Sequence, residues 1–413
     1  MQYGCIGEVL RHSFSAEIHP LLSSAAYELC EVAREDLERF MEQRDFLGIN
    51  VTIPYKQAVI PFLFSIDEQA KQIGAVNTVV NRDGLLYGYN TDFYGLRALL
   101  SHLGADLSGK KTVILGTGGT SLTAMAVAKS LGAGEILRVS RSAKDGCITY
   151  ELLHEKHTDA QILIDTTPSG MYPHADECMV DLSVFDRLEC VADAVYNPLR
   201  TELILRARER GIPAEGGLYM LVAQAVRASE IFHDCTYPEG TVDRIWKQLM
   251  RKKENIVLIG MPGSGKTTVG RILSQKLNRE FCDTDEEITQ KYGQTPSEII
   301  SKNGEAAFRQ MESDVIRDLV SGKWGAVIAT GGGAILKQEN ERMLRRNGRI
   351  YLLERPLEAL IPTGDRPLSC DRETLKRRYE ERYARYHEAA DVVIADPASA
   401  TLAAKCIREE FES

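Results

Sequence analysis

The residues between positions 255 and 270 have the types and spacing to hold a polyphosphate. Gly260, Gly265, Lys266 and Thr267 fill the pattern G-x-x-x-x-G-K-[ST], and an apolar run at 256–259 stands before them. Between a buried strand and a helix, such glycines let backbone N–H groups turn inward around phosphate oxygens. Gly263, Ser264 and Thr268 complete the candidate cradle. The helix N-terminus adds a favourable dipole, Lys266 reaches the outer phosphates, and Thr267 can hold Mg²⁺. Asp283 and Asp285 follow at the end of a second strand, two apart and so expected on one side of an extended segment. This is the equipment of ATP-dependent phosphoryl transfer, which rests on positioning and charge neutralisation.

Two further sets precede this loop. Lys56 stands at the tip of a strand expected at 49–53 and ended by Pro54. Asn77 interrupts an apolar strand expected at 73–80, Asp92 opens a helix, and Ser13 and Ser15 sit just before a helical pattern. Taken singly, the serines and Asp92 read as helix caps and Lys56 as a solvated strand end. Together, a Lys that donates a proton and an Asp that orients it suit ketone reduction, where a hydride goes to carbon and a proton to oxygen. The second set is Gly116, Gly118 and Gly119, between a strand at 112–115 and a helix running to about 131. Thr120 and Ser121 begin that helix, and Ser121 stands where a third glycine is usual. The context is that of a dinucleotide site. The next strand, 136–139, leads to Ser140, Arg141, Ser142 and then Lys144, where an NAD site would present Asp or Glu. An Arg among small hydroxyls suits a 2′-phosphate and favours NADP over NAD.

These sets need more than one core to position them. A chain of 413 residues predicts two or three domains, and 44% hydrophobic with 26% charged residues is an ordinary globular composition. The net charge of −9 provides no basic footprint for nucleic acid. Nine cysteines, an odd number with no C-x-x-C pair, point to a reduced cytoplasmic protein without structural zinc. No signal segment and no apolar run approaching a membrane span is expected.

HSFS at 12–15, NVTIPYK at 50–56, GAVNT at 74–78 and NTD at 90–92, in this order, resemble the substrate-binding domain of the shikimate dehydrogenases. The resemblance implies that Ser13, Ser15, Thr52, Lys56, Asn77 and Asp92 bind substrate, with Lys56 and Asp92 as the catalytic pair. Gln224, on a helix expected at 216–232, matches a glutamine that the family places on the substrate. The first loop departs: Glu8 and Val9 stand for Asn-Pro, and Ala16 for Pro. Ser140, Arg141, Ser142 and Lys144 resemble in part the family's N-R-T-x-x-R clamp. The remainder resembles shikimate kinase, with the phosphate loop, DTD at 283–285, FR at 308–309, GGG at 331–333 and RPL at 366–368 in family order. This implies Thr267 and Asp283 on Mg²⁺, and Asp285, Arg309, Gly331, Gly332, Gly333 and Arg382 around shikimate. It further implies Arg366 closing on ATP from a lid, and Lys266, Asp285 and Arg366 acting in catalysis.

The expected fold is therefore α/β in three lobes. A substrate lobe spans 1–93, completed by a helix at about 218–249. A Rossmann lobe binding NADP(H) spans 94–217. After a linker at 250–254, a P-loop domain of the nucleoside-monophosphate-kinase kind occupies 255–413. The expected function is NADPH-dependent reduction of 3-dehydroshikimate to shikimate, then phosphorylation of shikimate by ATP and Mg²⁺. The reactants are small molecules, with neither nucleic acid nor membrane as partner. Two alternatives stay open: an NAD-using dehydrogenase active on quinate, or a non-catalytic binding module ahead of an active kinase.

Overall fold

The computed structural model describes residues 1–10, 13–143, 146–360 and 372–413. The chain divides into two compact units, Met1–Lys247 and Gln248–Ser413.

The first unit carries two sheets. Strands β1 (Tyr3–Gly7), β2 (Tyr27–Glu31), β3 (Gly48–Val51), β4 (Ser65–Ile66), β5 (Thr78–Arg82) and β6 (Leu85–Tyr89) lie in the order β2-β1-β3-β5-β6-β4. β1 pairs in parallel with β2 and β3, whereas β5 runs antiparallel to β3 and β6. β3 stops at Val51, before Pro54, because the chain turns there with Tyr55 N–H on the Thr52 carbonyl at 2.9 Å. The apolar run 73–80 is not one strand. Ile73 ends the helix Glu68–Ile73, Gly74 closes that helix at φ +74°, and β5 begins only at Thr78. A left-handed glycine is a strong helix stop, and a short apolar run cannot by itself distinguish helix from strand.

The second sheet holds β7 (Lys111–Leu115), β8 (Glu135–Ser140), β9 (Ile148–Thr149), β10 (Ile162–Asp165), β11 (Cys190–Asp193) and β12 (Ala214–Glu215), in the order β12-β11-β10-β7-β8-β9. Every pairing in it is parallel. All residues of β10 and β11 are buried, as continuous apolar strands covered on both faces must be. The order reverses between β7 and β10, which opens the crevice where such sheets take ligands. The helix Leu218–His233 returns to the first sheet, with Phe232 against Gly48, and crosses the helix Asp92–His102. Gly95 permits that crossing: a Cβ there would stand 2.6 Å from the Met220 carbonyl oxygen. Trp246 packs on the same layer, its ring 5.6 Å from Tyr219 and 4.9 Å from His102.

The second unit is built on β13 (Asn255–Ile259), β14 (Phe281–Asp283), β15 (Val327–Ala329), β16 (Gly348–Glu354) and β17 (Val392–Ala395), all parallel, in the order β14-β15-β13-β16-β17. The fully buried β13 is central. Its loop opens the helix Lys266–Leu277. The charged segment expected as a linker is helical. It is the last turn of the helix Thr241–Lys253, and only Glu254 separates that turn from β13. No Gly or Pro breaks it, and Arg251, Lys252 and Lys253 complement the negative end of the helix dipole. Lys253 Nζ lies 5.8 Å from the centre of the Trp324 ring. No described helix is long and apolar enough to cross a membrane.

Candidate active sites

In the first unit, the ends of β3, β5 and β6 bring one polar cluster together. Lys56 Nζ donates to Asp92 Oδ2 at 2.6 Å, with both side chains mostly buried. Asp92 opens the helix Asp92–His102, as expected. Behind it, Asn77 accepts from the Thr91 N–H at 2.7 Å and donates to Thr91 Oγ1 at 3.1 Å. Thr91 Oγ1 lies 3.3 Å from Gln224 Oε1, so the returning helix does reach this cluster. Ser15 N–H donates to Ser13 Oγ at 3.4 Å, and Thr52 holds the turn after β3. Glu8, one of the substituted first-loop residues, pairs with Arg34 at 3.1 Å, and Val9 is exposed. Thr78, Thr91, Asn50, Tyr27 and Tyr196 were not singled out from the sequence. Burial pushes the Tyr196 hydroxyl up to about 12, which keeps it a proton donor.

The glycine turn after β7 lies at the crevice between β7 and β10. Gly116 sits at φ +108°, and a Cβ there would meet Thr166 Oγ1 at 2.7 Å. Gly118 begins the helix Gly119–Ser130 with open space on its Cβ side. A Cβ at Gly119 would stand 3.8 Å from Lys56 Cδ, so this turn lies beside the Lys56–Asp92 pair. Thr120 is half-buried, and the buried Ser121 hydroxyl has no hydrogen-bond partner among the described residues. Ser140 ends β8 and its hydroxyl caps the following turn through Ser142, while Arg141 and Ser142 are exposed. Lys144 lies outside the described residues. Open backbone at Gly118 and an exposed arginine at the end of the second strand fit a dinucleotide with a 2′-phosphate.

In the second unit, Gly260, Gly263 and Gly265 sit at φ +144°, +82° and +94°, a run that only glycine adopts without strain. Lys266 Nζ reaches back across the loop to the carbonyls of Gly260 at 2.8 Å and Met261 at 3.0 Å. The buried Ser264 hydroxyl has no partner among the described residues, an orphan at the floor of a phosphate cradle. Thr267 Oγ1 donates to Asp283 Oδ2 at 2.8 Å, and Thr268 continues the helix. Among the described residues no three His, Cys, Asp or Glu side chains form a protein-only metal cage. A hydroxyl beside a carboxylate is instead the edge that Mg²⁺ takes when phosphates complete its shell. Asp283 and Asp285 do not share an extended segment. Asp283 caps the helix Thr284–Tyr292, accepting from Asp285 N–H at 3.0 Å, and Asp285 sits in its first turn. The carboxylate at the strand end satisfies an N-terminal N–H, so the chain winds into helix at once.

Asp285, Arg309, Gly331, Gly332, Gly333 and Arg382 line one cavity of about 530 Å³, counted with its open mouth. Arg382 donates to the Gly332 carbonyl at 3.0 Å, and Tyr386 donates to the same oxygen. Arg378, one turn before Arg382, joins the lining. Burial and the neighbouring Arg382 lower its pKa. Glu312, fully buried and one turn after Arg309, binds that guanidinium at 2.7 Å, and Glu305 binds it at 3.0 Å. Burial opposes the charge on Arg309, and these two carboxylates outweigh burial and raise its pKa. Burial likewise raises Glu312, with Arg309 acting against it. Helical spacing from Arg309 and Arg382 was the signal that could have found Glu312 and Arg378. Arg366 lies outside the described residues.

Comparison with known proteins gives both units relatives. Residues 5–79 match the family model of the shikimate dehydrogenase substrate binding domain, and residues 262–410 match that of shikimate kinase. The NADP(+) shikimate dehydrogenase of Clostridium beijerinckii is 38% identical over 250 residues, which is 56% of this chain and 92% of that protein. The solved structure of shikimate dehydrogenase 1 from Peptoclostridium difficile superposes with a TM-score of 0.56 at 34% identity, covering 60% of this chain and 98% of that one. A Thermus thermophilus shikimate 5-dehydrogenase, solved with NADP(H) and shikimate, gives 0.55 at 25% identity over 60% of this chain and 99% of that one. Through its first unit the chain therefore belongs to the shikimate dehydrogenase family, and its second unit is a shikimate kinase domain.

Proposed function

We propose that the chain reduces 3-dehydroshikimate to shikimate in its first unit and phosphorylates shikimate in its second. The observation that carries the first half is the place of Lys56. Its ammonium holds Asp92 at 2.6 Å while its stem lies beside the glycine turn of the nucleotide lobe. NADPH, when bound, supplies the hydride for the carbonyl carbon. Lys56 gives its proton to the carbonyl oxygen as the alcohol forms, and Asp92 orients the ammonium and accepts from the neighbouring hydroxyl. Ser13, Ser15, Thr52, Asn77 and Gln224 hold the ring substituents, and Arg141 with Ser140 and Ser142 holds the 2′-phosphate.

In the second unit, Arg309 and Arg382 fork the substrate carboxylate. Gly331, Gly332 and Gly333 pack on its ring, and Asp285 takes the proton of the attacking hydroxyl. Mg-ATP supplies the γ-phosphoryl group, and Lys266 and Arg366 neutralise the charge that develops on it. Thr267 and Asp283 would hold the cation. The reactants are small and polar, and the reading assigns the chain to the cytoplasm. The test is one incubation of the purified chain with 3-dehydroshikimate, NADPH, ATP and Mg²⁺. Shikimate 3-phosphate, identified by mass, should form in step with NADPH loss. Absence of NADPH consumption would overturn the first half, and accumulation of unphosphorylated shikimate the second.

A further inference from the structure

The proposed substrate residues of the first unit are not independent of one another. Tyr27, on the edge strand β2, donates its hydroxyl proton to Asn50 Oδ1 at 2.7 Å. The Asn50 amide nitrogen donates in turn to Thr78 Oγ1 at 3.2 Å and lies 3.5 Å from the Asn77 carbonyl oxygen. Thr78 Oγ1 stands 3.2 Å from Asn77 Oδ1 and 3.1 Å from Thr91 Oγ1, which continues to Gln224. One chain of hydrogen bonds thus runs from Tyr27 through Asn50 and Thr78 to Asn77 and, by way of Thr91, to Gln224. The Tyr27 ring is fixed by stacking on His19, with centroids 3.8 Å apart and planes 7° apart. Burial holds His19 neutral, its pKa lowered to about 3, so the ring is an uncharged platform.

We infer that Tyr27 is a positioning residue for the dehydrogenase substrate: stacked on His19 and bonded to Asn50, it fixes the Asn50–Thr78 link that orients Asn77. The inference rests on the proposed roles of Asn77 and Gln224. Tyr27 acts through these neighbours, so its loss weakens ground-state binding and leaves the proton and hydride steps intact.

The test uses the full-length chain. Tyr27→Phe keeps the stacking ring and removes only the hydroxyl. KM for 3-dehydroshikimate should rise about tenfold with kcat within about a factor of two. Kinase constants for shikimate in the same preparation should be unchanged. Asn77→Ala should also raise KM, and its double variant with Tyr27→Phe should raise it no further than the larger single effect. If Tyr27→Phe opens the first unit, seen as early proteolysis, Asn50→Ala removes the acceptor of the same hydrogen bond and carries the same expectation. An unchanged KM, a fall in kcat alone, or additive effects of the two substitutions would overturn the inference while leaving the reductase assignment in place. A parent chain without reductase activity would overturn that assignment and this inference together.

Discussion

In the proposed reading, the ion pair between Lys56 and Asp92 decides which proton moves in the first unit. Lys56→Ala should lower reductase kcat by about 10²–10⁴, the usual worth of a positioned general acid, and leave phosphorylation of added shikimate unchanged. A second pair of charges sets a pH dependence. Asp165 and Asp193 are register partners at the ends of β10 and β11, and both are buried. Burial pushes the Asp165 carboxyl up to about 6, and burial together with Asp165 pushes Asp193 well up. A carboxyl with a raised value in the fold binds protons more tightly there than in the unfolded chain. Its stabilisation is complete below about pH 4 and is lost as pH rises through about 6. Asp165→Asn keeps an acceptor for the Thr167 N–H, now 2.7 Å away, and removes the titration. The urea midpoint of the first unit, read by pulse proteolysis, should fall across this window in the parent and fall less steeply in the variant, where Asp193 alone of the pair still titrates. The difference should be on the order of 2 kcal/mol. Lys56, Asp92, Asn77 and the phosphate-loop residues were legible from their types and order. Glu312, Tyr27 and Asn50 were not, because each is defined by a partner distant in sequence or on another turn.

Among the elements, the crossing of the helices Asp92–His102 and Leu218–His233 carries the most for function. It sets Gln224 beside Thr91, and it depends on Gly95, where a Cβ would stand 2.6 Å from the Met220 carbonyl oxygen and 3.0 Å from Gln224 Cβ. Gly95→Ala should therefore cost about 1–3 kcal/mol of first-unit stability and raise KM for 3-dehydroshikimate. Denaturant titration and steady-state kinetics on one preparation check both parts. The two parallel sheets could be read from buried apolar runs punctuated by glycine turns. Boundaries were less legible. Ile73 belongs to a helix because Gly74 stops it, and Asp285 is helical because Asp283 caps it, and neither choice is visible in hydrophobicity. The charged run 250–254 reads equally well as a solvated linker and as the end of a helix, and only its continuity with residue 241 onward decides it.

At the scale of the molecule, two chemistries on one chain share shikimate as product and substrate. Lys266→Ala removes the amine that spans the phosphate loop, so phosphorylation should fall by at least about 10² while NADPH consumption continues. The coupled incubation should then yield shikimate equal to the NADPH used, a result that product masses check directly. The chain also has two tryptophans, and they are divided between the units: Trp246 in Met1–Lys247 and Trp324 in Gln248–Ser413. Trp246 is set among the rings of Tyr219 and His102, and Trp324 beneath Lys253. Each unit thus contains its own native fluorophore. Trp324→Phe leaves an emission that reports the dehydrogenase alone, and Trp246→Phe leaves one that reports the kinase. Ligand titrations and melting curves can then be assigned to one enzyme or the other in an uncut chain, with no added dye.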